Sequence, residues 1–253
     1  MTERVIKLTV EYDGAPFAGW QVQPNQRTVQ GALESALAVV LREPVSVQGS
    51  GRTDAGVHAW AQIASFRTVS DVTPERVRRG VNALAGPGVR VVAAEEAPAD
   101  FDARHSARGK VYAYQVLVRR SPSPLLEGRA WWIRHRLDLE LLGTELASLP
   151  GTADWSAYRA ADCGAPSAIK TLHAATVRPG PHDTVNLVFT GSGFLKQMVR
   201  ILAGTAIEVA RGQLAPGSML RIRDGGRREH AGPTAPPWGL YLERVLYEPY
   251  PPG

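Results

Sequence analysis

Apolar and polar residues alternate along VIKLTVEY, Val5 to Tyr12, and the alternation predicts a strand. Asp13-Gly14 follows as a turn signal. The period then changes. Val29, Leu33, Leu37, Val40 and Leu41 fall on one stripe of a helix that Thr28 caps and Pro44 ends. VSVQGSG, Val45 to Gly51, reads as a strand, and WAQIASF, Trp60 to Phe66, as its returning partner. Thr73-Pro74-Glu75 starts a short helix to about Leu84. VRVVAAEE, Val89 to Glu96, is the last strand of this half. The order β-α-β-β-α-β is that of a ferredoxin-like split unit.

APADFDARHSARG, Ala97 to Gly109, reads as a connection between halves. KVYAYQVLV, Lys110 to Val118, alternates as a strand. A helix is expected near Leu137 to Ser148, strands near Ile169 to Arg178 and Val185 to Thr190, and a helix from Leu195 to Arg211. A short helix near Pro216 to Arg223, a Gly/Pro-rich loop and a closing strand LYLERVLY complete the chain. The second half therefore repeats the first in pattern, with insertions. The expected fold is α+β. Two ferredoxin-like halves, residues 1–100 and 101–253, have mainly antiparallel sheets joined edge to edge, with helices on one side and a long groove on the other.

Composition narrows the chemistry. With 253 residues, 44% hydrophobic and 21% charged, the chain is globular and long enough to bury a core. Its one cysteine, Cys163, excludes an intramolecular disulfide and reads as a small packing residue. No Cys/His cluster indicates zinc. No phosphate loop, dinucleotide turn, serine elbow or zinc-protease motif is present, which removes the common ATPase, Rossmann, serine-hydrolase and zincin readings. The N-terminus shows no signal peptide, and no run reaches the ~18 apolar residues of a membrane span. A cytoplasmic protein is expected. The net charge of +5 fits a nucleic-acid partner, and only Lys7, Lys110, Lys170 and Lys196 of the 29 basic residues are lysines. Arginine grips phosphate in a bidentate way that lysine does not.

The stretch GSGRTDAGVHAWAQ, Gly49 to Gln62, holds the candidate chemistry. Gly49, Gly51 and Gly56 permit tight backbone and close ligand approach. Asp54 stands alone beside Arg52, and a single carboxylate near cations stays ionised. It suits a nucleophile, a base or an electrostatic stabiliser better than a general acid. The competing reading is an Asp that caps its own turn. His58 reads as a packing or hydrogen-bonding residue rather than a base.

GRTDAGVHAWAQ resembles the signature of the tRNA pseudouridine synthase A family. EYDGAPFAGWQVQPNQRTVQGALESAL resembles the opening of that family, and FDARHSARGKVYAYQV its central strand. GSGFLKQMVRILAGTAIEVARG resembles its later helix, and APPWGLYL its closing segment. These matches fall in family order over most of the chain. The resemblance implies a tRNA pseudouridine synthase, an isomerase acting on uridines at positions 38, 39 and/or 40 of the tRNA anticodon stem-loop. It implies no metal or organic cofactor, a homodimer, and a groove that is an RNA-binding cleft.

By the same resemblance Asp54 is the essential aspartate and nucleophile. Arg52 accompanies the target nucleotide and helps displace it from its stack. Tyr112 packs against the target base, Arg200 pairs with the aspartate, and Phe194 and Leu195 fit the pocket side of their segment. From alternation alone, Tyr112 and Tyr114 share a face that is either buried core or open cleft. Trp131, Trp132, Trp155 and Trp238 read as packing or dimer residues. Lys196, Gln197, Ile169-Lys170-Thr171 and Ala153-Asp154-Trp155 depart from the family pattern. Two other readings use the same residues: a non-catalytic RNA-binding module, and a nucleoside or sugar hydrolase using Asp54.

Overall fold

The computed structural model describes residues 2–250. Contacts divide the chain into two compact units. One runs through Arg108 and includes Leu242–Pro249; the other covers Gly109–Tyr241 and includes Tyr250.

The first unit contains β1 (Arg4–Tyr12), α1 (Val29–Leu41), β2 (Gln48–Gly49), β3 (His58–Thr68), α2 (Pro74–Leu84) and β4 (Val89–Ala97). Its strands run β4-β1-β3 with β2 paired to β3, all antiparallel. The register sets Ile6 opposite Phe66, Leu8 opposite Ala64 and Val10 opposite Gln62, so these residues share one face. All six are buried, as are Leu33 and Leu37 of α1 and Val77 and Val81 of α2. The capping reading holds in detail. The Thr28 hydroxyl accepts the Gly31 amide at 3.2 Å, and the Thr73 hydroxyl accepts the Arg76 amide at 3.4 Å. Helix α1 stops before Pro44, with Arg42 in the left-handed region at φ 60°.

The second unit contains β5 (Gly109–Val118), β6 (Trp131–Ile133), α3 (Leu139–Ala147), β7 (Gly151–Asp154), β8 (Ile169–Pro179), β9 (Thr184–Gly191), α4 (Met198–Ala210) and α5 (Ser218–Gly225). Its strands run β5-β9-β8-β7. These pairs are antiparallel, and β6 adds a short parallel pair to β5. In both units the first strand pairs with a later strand whose preceding hairpin partner lies outside it: β1-β3-β2 and β5-β9-β8. That shared order supports the repeat inferred from pattern. The last strand, β10 (Leu240–Leu246), is divided, with Leu240 and Tyr241 in the second unit and the rest in the first.

Three expectations need correction. The strand expected over Val45 to Gly51 shrinks to Gln48–Gly49, because Val47 gives its amide to Glu34 of α1 at 2.9 Å. The helix expected from Leu195 begins at Met198, because Gln197 takes φ 61° and breaks helical geometry just before it. Strands β6 and β7 were not foreseen; at three and four residues they are too short to display a period.

One buried charge organises the second unit's helices. Glu145 of α3 is 3% exposed and accepts the amides of Gly217 and Met219, the latter at 3.1 Å. It thereby supplies the N-terminus of α5 with the acceptor that the glycine before it lacks.

Four tyrosines are held in the neutral form. Burial raises the pKa of Tyr12, Tyr114, Tyr158 and Tyr247; at Tyr114 the Arg200 charge opposes it in part, and at Tyr158 the Glu145 charge adds to it. Tyr114, Tyr158 and Tyr247 donate their hydroxyls to the carbonyls of Pro236, Met219 and Ala103 at 2.7–2.8 Å, bonds that a phenolate loses. An acid whose folded pKa is raised keeps its full stabilisation below its unfolded pKa, about 10 for tyrosine. Stability is therefore expected to fall as pH rises above that value. In an alkaline titration, tyrosinate absorbance from these four should appear only with the loss of circular dichroism. Ionisation of all seven tyrosines near pH 10 in a folded chain would contradict this.

Candidate active site

Asp54 sits at the crest of the loop between β2 and β3. Its carbonyl accepts the Val57 amide at 3.2 Å, closing a turn whose third residue is Gly56 at φ 78°. A type II turn requires positive φ at that position, which is why Gly56 follows Ala55. Asp54 is half-buried and Arg52 exposed, while Thr53 and Val57 on either side are buried. The loop is thus buried at Thr53 and Val57, with half-buried Asp54 between them.

The anchors come from the opening of the chain. A bulge in β1 between Val10 and Tyr12 shifts the register. Beyond it, the buried Tyr12 hydroxyl lies 2.8 Å from the Thr53 hydroxyl. The Trp20 amide donates to the Thr53 carbonyl at 3.0 Å. Gly19, at φ 102°, runs so close that a Cβ on it would lie 2.8 Å from the Thr53 oxygen and 3.3 Å from the Asp54 carbonyl carbon. On the strand side, Ser50 donates to Ile63 at 2.8 Å and the Gln62 side chain donates to the Gly51 carbonyl at 2.7 Å. Gly49 admits the Trp20 ring, which is what approaches it; a Cβ there would lie 2.4 Å from that ring.

The other expected residues lie in the second unit. Arg200 occupies the first turn of α4 and is half-buried. Its Nε donates to the Ala235 carbonyl at 2.8 Å, and the Ala235 amide donates back to the Arg200 carbonyl at 3.1 Å. This reciprocal pair fixes the plane of the guanidinium. Tyr112 on β5 is opposite Phe189 and meets Phe194 edge-on, with ring centroids 5.2 Å apart. Leu195, next to Phe194 in sequence, is buried. Tyr112 is 7% exposed and Tyr114 fully buried, so their shared face is largely core. The structure thus joins Tyr112 to Phe194 within one unit and carries Asp54 and Arg52 on one loop of the other.

The departures from the family pattern have local occupations. Lys196 pairs with Asp162 at 2.5 Å, which holds the Asp162 carboxyl below its usual range, and its carbonyl accepts the Ala160 amide. Asp154 accepts the Ser156 amide at 2.7 Å and starts a short 3₁₀ turn. Trp155 is fully buried with its indole N–H on the Lys170 carbonyl. Cys163 is half-buried in the loop after that turn. Among the described residues no group of three or more His, Cys, Asp or Glu could hold a metal ion, and no helix is long and apolar enough to cross a membrane. Sequence reasoning passed over Tyr12, Thr53, Gly19 and Trp20 as parts of the site. The signal lay in the spacing of YDG and GWQ ahead of the Asp54 stretch, but nothing linear says that these segments meet it.

The chain has relatives among known proteins over most of its length. The family model described as tRNA pseudouridine synthase matches residues 8–106 and 146–248. The chain belongs to the tRNA pseudouridine synthase family. It is 44% identical to the tRNA pseudouridine synthase A of Myxococcus xanthus, over 98% of this chain and 93% of that one. It is 42% identical to the protein of the same name from Geobacter sp. strain M21, over 96% and 99%. A third, from Caldicellulosiruptor bescii, is 38% identical over 96% and 100%. As a member of this family the chain is an isomerase.

Gly19→Ala tests the anchoring. The new methyl group meets backbone, and the positive φ adds strain, so the Thr53–Asp54 peptide must shift. Turnover is expected to fall about 100-fold, the scale of a shift of about 1 Å transmitted to a site. Steady-state kinetics on tRNA checks this, and an unchanged kcat would show that the loop does not depend on Gly19.

Proposed function

We propose that this tRNA pseudouridine synthase isomerises uridine at positions 38, 39 and/or 40 of the anticodon stem-loop, as a homodimer, with Asp54 as its nucleophile. The observation that carries the reading is the Asp54 turn: a half-buried carboxylate on a crest whose neighbours are anchored on both sides. A fixed carboxylate can take the C1′ carbon of the ribose as the N1–C1′ bond breaks, with the bonding electrons leaving on the uracil. The uracil then turns, C5 attacks C1′ and expels the carboxylate, and the C5 proton passes to solvent while N1 gains one. Atoms and electrons balance without an oxidant, a reductant or net water.

The other residues have roles in the same reading. A base inside the stem leaves its stack at a cost of a few kcal/mol. Arg52, exposed two residues before Asp54, is suited to the vacated space. Half-buried Phe194 and the small part of the Tyr112 ring that stays exposed are given the role of holding the detached uracil, with buried Leu195 behind Phe194 in sequence. Aromatic stacking contributes ~1–3 kcal/mol per base. To Arg200, whose Nε is bound by the Ala235 carbonyl, we assign the pairing with the aspartate that the family resemblance implies. Retention of the detached base separates this reading from hydrolysis, which releases free uracil.

The decisive substrate is tRNA carrying tritium at uridine C5. The wild-type chain is expected to release tritium to water in step with turnover. Asp54→Asn should bind tRNA with the same salt dependence and release none above background. Turnover by Asp54→Asn would remove Asp54 from the mechanism, and binding without release by the wild type would favour an RNA-binding module.

A further inference from the structure

His58 directly follows the Asp54–Val57 turn and is 2% exposed. Two groups approach its Nδ1. The Gly14 amide is 3.0 Å away and the Asp13 Oδ1 is 3.1 Å away. They make opposite demands. The amide needs a lone pair on Nδ1, and the carboxylate needs a proton there. The Asp13 Oδ1 already accepts the Ala15 amide at 3.0 Å, and its side chain is 32% exposed to water. The bond from the Gly14 amide is buried, and leaving such a donor unpartnered is the costlier outcome. The amide therefore claims the Nδ1 lone pair.

Gly14 in turn backs the turn that carries Asp54. A Cβ on Gly14 would lie 2.1 Å from the Val57 carbonyl oxygen and 2.7 Å from the Gly56 carbonyl carbon. The His58 ring, the Gly14 backbone and the Asp54–Val57 turn thus form a closed circuit of contacts. We infer that His58 is a positioning residue for Asp54, acting through the lone pair of Nδ1 on the Gly14 amide. The inference rests on the assignment of Asp54 as nucleophile. It gives His58 no proton to transfer and no contact with substrate.

Two isosteres separate this role from mere packing. In His58→Asn the amide oxygen falls near the place of Nδ1 and keeps an acceptor for Gly14. In His58→Gln the longer side chain reaches instead toward the place of Nε2. Initial rates of tritium release from C5-labelled tRNA, with melting curves, compare both with the wild type and with Asp54→Asn. The Asn variant is expected to keep kcat within about threefold. The Gln variant, which leaves the Gly14 amide unpartnered, should melt below the Asn variant and, assayed below both transitions, lose roughly 10- to 100-fold in kcat at unchanged KM. Equal losses in both, or no loss in either, overturn the positioning role. Full turnover by Asp54→Asn would instead sink the nucleophile assignment on which it rests. Nitrogen NMR of the wild-type ring gives a reading that needs no variant: a proton on Nδ1 overturns the inference even if both substitutions unfold the chain.

Discussion

The hydrogen bond from the Trp20 amide to the Thr53 carbonyl sets where Asp54 stands. It ties the loop that carries the acid to a segment more than thirty residues earlier in the chain. Around it gather the Tyr12 hydroxyl on Thr53, the Gly19 backbone against the Thr53–Asp54 peptide, and Gly14 against Val57. Every one of these contacts reaches backbone or a short hydroxyl rather than the carboxylate. They fix the main chain on either side of Asp54. A main chain held this way limits where the Asp54 side chain can reach, which preorganises the site proposed for it.

The second unit applies the same device to a cation. Ala235 exchanges hydrogen bonds with Arg200, and the Tyr114 hydroxyl takes the neighbouring Pro236 carbonyl. Gly232 gives its amide to the Thr205 hydroxyl one turn further along α4. The segment Gly232–Pro236 thus lies along the helix and sets the guanidinium plane from its Nε side. A charge near the start of a largely buried helix is costly without partners. Here a backbone carbonyl satisfies one edge of the group while its charge also acts on buried Tyr114.

Much of this was legible in linear form. Caps at Thr28 and Thr73 and the alternation in β1, β3 and β5 mark elements whose bounds the structure reproduces within a few residues. Asp54, Arg52, Tyr112 and Arg200 are visible as candidates because their motifs survive intact. What was illegible has common causes. β6 and β7 are too short for a period. The αL conformation of Gln197 carries no glycine to announce it. The shared face of Tyr112 and Tyr114 reads equally as core or cleft, since alternation reports that two residues share a face and not what covers it.

The sequence by itself determined the family, the reaction class, the order of the longer elements and which acid is the candidate. Those follow from local periodicity, from capping and from motifs that are each contiguous in the chain. Only the tertiary structure decided what holds the acid in place. It showed that Gly14, Gly19 and Trp20 brace the Asp54 loop, that Tyr12 reaches Thr53 through a bulge, and that Ala235 orients Arg200. The physical reason is that these are contacts between backbones distant in the chain. A residue's identity limits which such contacts are sterically possible, but only folding selects the partner.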